Sequence, residues 1–247
     1  MNLWQNMWPN GKPTMNYRDH TFNCPSFIKR YAHQKRLNIA FRLLGLDQGE
    51  SFLDYGGGDG SFAEYVIKKM PSSEVVVFEP VEAMYHQIKN TINVVTNLKD
   101  ISSFRYNKIA CLEVLEHLSQ NEQMKTLKML SGLLSENGKI IISVPIETGL
   151  PSIFKAFFRI FVTKNEKLSL AGIIKSLFSI KQGRSWPIKI DGMDFISSHF
   201  GFDHRIFEES LYKTFNIENK CASPIPFFGT VFNHCIYYVC SNKNVKL

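Results

Sequence analysis

No run in this sequence approaches the ~18 consecutive apolar residues that a membrane-spanning helix needs. There is no C-x-x-C pair among its five cysteines (Cys24, Cys111, Cys221, Cys235, Cys240), so zinc-ribbon and dithiol chemistry have no scaffold. An odd number of unclustered thiols instead suits reduced, buried side chains. The opening MNLWQNMWPNGKP lacks the basic-then-apolar layout of a secretory leader. These absences together give a cytoplasmic expectation. Internal repeats and low-complexity tracts are missing too, and disorder and coiled coil are out as descriptions of the whole chain.

The 247 residues are 44% hydrophobic and 21% charged, ordinary proportions for a folded domain with a sizeable core. We expect one domain over 1–247. It divides into an arm and helix at 1–49, a core at 50–149, an insert at 150–190 and the end of the sheet at 191–247. Helical spacing of apolar residues predicts a helix over Ile28–Leu44. From Ser51 short apolar runs alternate with amphipathic stretches. SFLDY, EVVVFEP, NVV, KIACLEV and KIIISVP read as strands, with helices over SFAEYVIKKM, VEAMYHQIKN and HLSQNEQMKTLKMLSGLL. The last helix is expected to stop at Asn137-Gly138. RIFEESLYKTF follows as a helix, NIENKCA and NHCIYYVCS as strands. Alternation of this kind argues an α/β fold with a doubly wound, mostly parallel sheet of seven strands.

The sharpest local signal is Asp54-Tyr-Gly56-Gly57-Gly58-Asp59-Gly60 between a strand and a helix. Glycines permit positive φ and close backbone approach, and the helix start offers free N–H groups. Glu79 ends the next strand, where a carboxylate can accept two ribose hydroxyls. The dinucleotide fingerprint G-x-G-x-x-G fails in this loop: counted from Gly56, its last glycine falls on Ser61, and counted from Gly57, on Phe62. A pyrophosphate-free nucleoside is favoured, and a nicotinamide oxidoreductase disfavoured.

Four segments in order resemble the class I S-adenosylmethionine-dependent methyltransferases. FLDYGGGDGSF is similar to that family's first motif and VVFEP to its acidic ribose motif. YNKIACLEVLEHL resembles its fourth-strand motif, with Tyr106-Asn107 in place of the usual Phe-Asp, and GKIIISVP resembles its fifth strand. The resemblance implies a Rossmann-like methyltransferase fold with an N-terminal helical extension, and S-adenosylmethionine as cofactor. By it, Asp54, Gly56 and Gly58 line the methionine end, Glu79 holds the ribose and Asn97 and Leu98 flank the adenine. Leu112 and Glu113 face the cofactor from the other side.

For the chemistry, Glu116, His117, Glu147 and His199 are the catalytic candidates. If Glu113-Val-Leu-Glu116-His117 is helical, its acids and histidine share a face. Structural, acid–base and magnesium-binding roles all stay open for Glu113, Glu116 and His117. His199 and His204 belong to a cluster that, with Ser223–Gly229, resembles glycan methyltransferases of lipopolysaccharide and O-antigen biosynthesis. A saccharide or lipid-linked glycan acceptor is implied, with a lipid or quinone as the alternative and a non-catalytic cofactor-binding regulator as the outlier.

The chain carries 29 Lys and Arg against 22 Asp and Glu, a formal +7. That excess falls entirely between 150 and 190, where Lys155, Arg159, Lys175, Lys181 and others face a single acid, Glu166. Phe154, Phe157, Phe158 and Phe161 recur at helical spacing in the same segment. We expect a helical lid or a peripheral contact with the inner face of the membrane. Nucleic acid is not expected as a partner. The chain has neither the Asn/Asp-Pro-Pro-aromatic sequence of amino-base methylation nor a Pro-Cys nucleophile, and no RNA-binding module.

Overall fold

The computed structural model describes residues 27–147, 188–190, 193–196, 201–230 and 233–243. Hydrogen bonding orders seven strands as β3 (Asn93–Val95), β2 (Glu74–Phe78), β1 (Ser51–Tyr55), β4 (Tyr106–Leu112), β5 (Leu134–Pro145), β9 (Cys235–Asn242) and β8 (Phe215–Ser223), and β6 (Ile188–Ile190) and β7 (Met193–Phe195) form a separate ribbon. The contacts fall into two compact units, Met1–Ala110 and Cys111–Leu247.

The first unit holds α1 (Phe27–Leu44), β1 (Ser51–Tyr55), α2 (Ser61–Lys69), β2 (Glu74–Phe78), α3 (Glu82–Tyr85), β3 (Asn93–Val95) and α4 (Leu98–Ser102). β4 (Tyr106–Leu112) begins in it. β1 pairs in parallel with β2 and β4, and β2 with β3. Their central residues Phe52, Leu53, Val77, Phe78 and Ile109 are buried, as near-continuous apolar strands covered on both faces require. Asn107, standing where the related motif has Asp, joins β4 to β1. Its Oδ1 accepts from the Ser51 backbone N (3.0 Å) and Oγ (2.9 Å). The lost charge leaves the hydrogen bonding intact.

The helix expected over VEAMYHQIKN is one turn, α3. The chain then tightens through Gln87 N to Met84 O and Ile88 N to Tyr85 O, bringing Ile88 over Gly60. A Cβ at Gly60 would lie 2.9 Å from Ile88 Cγ2.

The second unit contains α5 (Gln120–Leu133), β5 (Leu134–Pro145), the ribbon β6 (Ile188–Ile190) and β7 (Met193–Phe195), α6 (His204–Thr214), β8 (Phe215–Ser223) and β9 (Cys235–Asn242). β9 runs antiparallel to both β5 and β8. Ser119 caps α5 by accepting from Glu122 N. Strand β5 starts directly where α5 ends, so Asn137-Gly138 lies inside the strand rather than stopping the helix. The ribbon was not foreseen. Of the expected insert helices, residues 148–187 lie outside the described residues. The four described cysteines, Cys111, Cys221, Cys235 and Cys240, carry no disulfide.

Candidate functional site

In the first unit the glycine loop is folded against the end of β2. Gly56 N and Gly57 N both donate to the Phe78 carbonyl, at 2.8 and 3.2 Å. Gly56, Gly58 and Gly60 take φ of 71°, 57° and 74°, a region costly for residues with a Cβ. Gly57 answers a different need. A Cβ there would sit 2.6 Å from Val77 Cγ1 and 3.0 Å from Asp54 Oδ2. Asp59, outside the expected set, accepts from Ser61 N at 3.1 Å, a side-chain turn that leads the chain through Gly60 into α2. An Asp-Gly-Ser sequence ahead of an apolar-periodic stretch is the signal that marks it.

Glu79 joins the loop to the second strand. Its Oε2 accepts from Gly58 N (2.8 Å) and its Oε1 from Val81 N (2.9 Å). A carboxylate has about four lone-pair directions, so Glu79 is oriented by backbone and keeps capacity for two further donors. Burial pushes its carboxyl above the usual range, and the Val81 and Gly58 amides pull it back.

Asp54, on the last turn of β1 before the glycines, is 3% exposed. Its Oδ2 has no hydrogen-bond partner. Burial foremost, then the charges of Glu79 and Asp59, raise its pKa to about 7, against a weaker opposing pull from the Ala63 amide. Three carboxylates therefore surround one glycine loop. That field repels a pyrophosphate and favours a ligand carrying positive charge.

Asn97 and Leu98 follow β3. Asn97 is the cap of α4, its Oδ1 accepting from Lys99 N at 3.0 Å. Leu98 is half-buried.

In the second unit, Leu112 closes β4 and Glu113 follows with φ 57°, the one non-glycine at positive φ among the described residues. Such a residue stores strain of about 1–3 kcal/mol and clusters at functional sites. Glu113 is held by its own N–H to Ser143 O (3.0 Å) and by Ser143 Oγ donating to Oε1 (3.0 Å). The left-handed residue breaks any helix through Glu113–His117, and only Leu115–His117 makes a 3-10 turn. The shared helical face expected for Glu113, Glu116 and His117 is therefore not formed. No group of three His, Cys, Asp or Glu side chains gathers into a metal-holding set among the described residues.

Glu116 is wholly buried. His117 is half-buried, its Nε2 4.0 Å from Glu116 Oε1. His117 Nδ1 lies 2.9 Å from the Ile196 carbonyl, while Ile196 N donates to His117 O at 2.6 Å. A carbonyl only accepts, so Nδ1 carries the proton and the neutral ring keeps its lone pair on Nε2. Glu147 is half-buried just past β5. His204 is buried at the start of α6, with its pKa lowered by that burial. His199 lies outside the described residues.

The sequence pattern of a known family, described as a methyltransferase domain, matches residues 27–188. No curated protein matches the chain. Among solved structures, a protein of Pyrococcus horikoshii OT3 is similar at TM-score 0.59 and 13% identity, over 98% of this chain and 100% of that one. The cyclopropane synthase MmaA2 of Mycobacterium tuberculosis is similar at TM-score 0.58 and 13% identity, over 90% and 88%. The magnesium protoporphyrin IX methyltransferase of Synechocystis PCC 6803, solved with S-adenosylhomocysteine bound, is similar at TM-score 0.56 and 13% identity, over 97% and 93%. At these identities the likeness is one of fold. No helix among the described residues is long and apolar enough to cross a membrane.

Proposed function

This chain belongs to the methyltransferase-domain family, and on that premise we propose that it transfers the methyl group of S-adenosylmethionine to a saccharide or lipid-linked glycan. The observation that carries the cofactor reading is the acid-lined glycine loop. Asp54 offers a buried, unpartnered oxygen, Gly58 has open space where a Cβ would stand, and Glu79 is aimed by two amides. A sulfonium nucleoside fits all three. Its positive charges suit the carboxylates, and its ribose diol suits Glu79.

When bound, S-adenosylmethionine supplies a methyl group on an already activated leaving sulfur. The chain's own work is then alignment of the acceptor, which supplies much of such a rate. Gly56, Gly58 and Asp54 hold the methionine end, with Asn97 and Leu98 beside the base. An alcohol acceptor also has to lose a proton. His117 is proposed as the base, since its Nδ1–H is spent on Ile196 and Nε2 is the basic atom. Glu116, with its Oε1 4.0 Å from that same Nε2, is proposed to share the acid–base work, and Glu147 and His199 are proposed to position the acceptor. The glycan class rests on the resemblance of His199–Arg205 and Ser223–Gly229 to glycan methyltransferases.

A second reading, a lipid or quinone acceptor at a membrane surface, is favoured by the concentration of the chain's +7 charge between 150 and 190.

Thermal melting tests the cofactor assignment. S-adenosylmethionine or S-adenosylhomocysteine should raise Tm and NADH should not; the reverse pattern refutes it. Glu79→Ala removes two hydrogen bonds to a charged acceptor. It should weaken S-adenosylhomocysteine binding about a hundredfold while the protein stays folded.

A further inference from the structure

We propose that the turn Pro224–Gly229 is an interfacial anchor that seats the second unit on an anionic lipid bilayer. This goes beyond the membrane-surface reading by naming a second, structured element, and it does not depend on which acceptor is methylated.

The first observation is apolar exposure concentrated in one place. Pro224-Ile-Pro-Phe-Phe-Gly229 contains no polar side chain. Phe227 is 91% exposed and Ile225 50%. Phe228, 43% exposed, meets Phe227 edge-on at 5.5 Å between ring centres. Of the seven large hydrophobic side chains exposed among the described residues, three stand in this turn. Single exposed apolar residues are commonplace, but a contiguous cluster marks a surface that is covered in use.

The second observation is that the exposure is enforced. Asn233 is completely buried. Its Nδ2 donates to the carbonyls of Ile225 and Gly229, each at 2.6 Å, and its Oδ1 accepts from Ile225 N at 2.7 Å. Phe228 N to Ile225 O and Gly229 N to Pro226 O close the 3-10 turn inside that clamp. A turn with no use for its aromatic tip would fold the ring inward; this one is held open by three side-chain hydrogen bonds. Because the tip is already ordered, docking pays little conformational entropy.

The third observation is where the turn stands. β9 begins at Cys235 beside Pro145, and Ile146 N donates to the His234 carbonyl. The turn is thus rooted at the carboxyl end of β5, the edge at which open α/β sheets place their ligands.

Charge selects the occupant. The full chain carries a formal net charge of +7. A second copy of a chain so charged is repelled, whereas an anionic headgroup layer is attracted. A tip of Ile and Phe without hydrogen-bonding groups matches the boundary between headgroup and acyl chain.

The experiment is co-sedimentation of the full chain with vesicles of phosphatidylcholine alone or mixed with phosphatidylglycerol, at low and high salt. Binding to the mixed vesicles at low salt is expected, falling with salt. The pair Ile225→Ser with Phe227→Ser should weaken it at least about tenfold, and Phe227→Trp should keep it. Absence of vesicle binding by the unaltered chain overturns the proposal. So does equal binding by the serine variant, which would assign the attraction to charge alone. Loss of a dimer on gel filtration in the serine variant, without vesicle binding, overturns it in favour of a second copy. Both variants should keep the thermal shift with S-adenosylhomocysteine. Its absence in the unaltered chain refutes the cofactor assignment and leaves the anchor standing.

Discussion

Replacing Asp54 with Asn should make the protein more stable at neutral pH while weakening its hold on the methyl donor. The side chain keeps its shape and loses its charge. In the fold its carboxyl titrates at about 7 against an ordinary 3.8, raised chiefly by burial and then by Glu79 and Asp59. A raised carboxyl pKa means the folded state resists ionisation, so the cost is absent at acid pH and is fully present above the folded pKa. Three pH units at about 1.4 kcal/mol each put that cost at about 4 kcal/mol. The advantage of Asp54→Asn over the unaltered protein should grow by about 2 to 3 kcal/mol between about pH 5 and about pH 8. Urea unfolding of both proteins at the two pH values measures it. Donor binding should run the other way. A cationic ligand favours ionised Asp54, so affinity should rise with pH up to about 7 and then level, and the Asn variant should lose both affinity and slope. A stability difference that is flat with pH, or larger in acid, would refute the account of Asp54.

Gly57→Ala should destabilise by about 1–3 kcal/mol through overpacking against Val77. Adding Val77→Ala should recover part of the loss against the Gly57→Ala single variant, which urea unfolding reads; no recovery would place the clash elsewhere. At Glu113, the Gly variant should be more stable than the Ala variant by about 1 kcal/mol, because both lose the Ser143 hydrogen bond but only Ala keeps the left-handed strain. Equal melting of the two would show that the backbone there is not strained.

The core strands and the ligand loop were readable because two periodicities and one glycine cluster announce them. SFLDY and EVVVF are apolar runs bounded by turn residues, and β1 and β2 occupy those segments. Glu113 shows the opposite case. Nothing in Leu112-Glu-Val-Leu marks a left-handed residue, since glutamate is not among the side chains enriched there. The three chemical letters Glu113, Glu116 and His117 therefore read as one helical face that the backbone does not make. Gly57 was passed over for its neighbours because its constraint is spatial, set by Val77 on another strand. Asn233 is equally silent in sequence, since its three partners form only once the turn around Phe227 has closed. The stop expected at Asn137-Gly138 failed because β5 takes over at Leu134 without an intervening loop.

The pair of hydrogen bonds between His117 and Ile196 also bears on how such a chain can diversify. Residues 147 to 196 leave from the end of β5, tied through Ile146 to His234, and return at a point pinned to His117. Departure and return are both secured within the same unit. Closing a flexible loop twice as long costs only about 0.6 kcal/mol more. Related chains could therefore lengthen, shorten or exchange the sequence between these two anchor points with little penalty to the sheet.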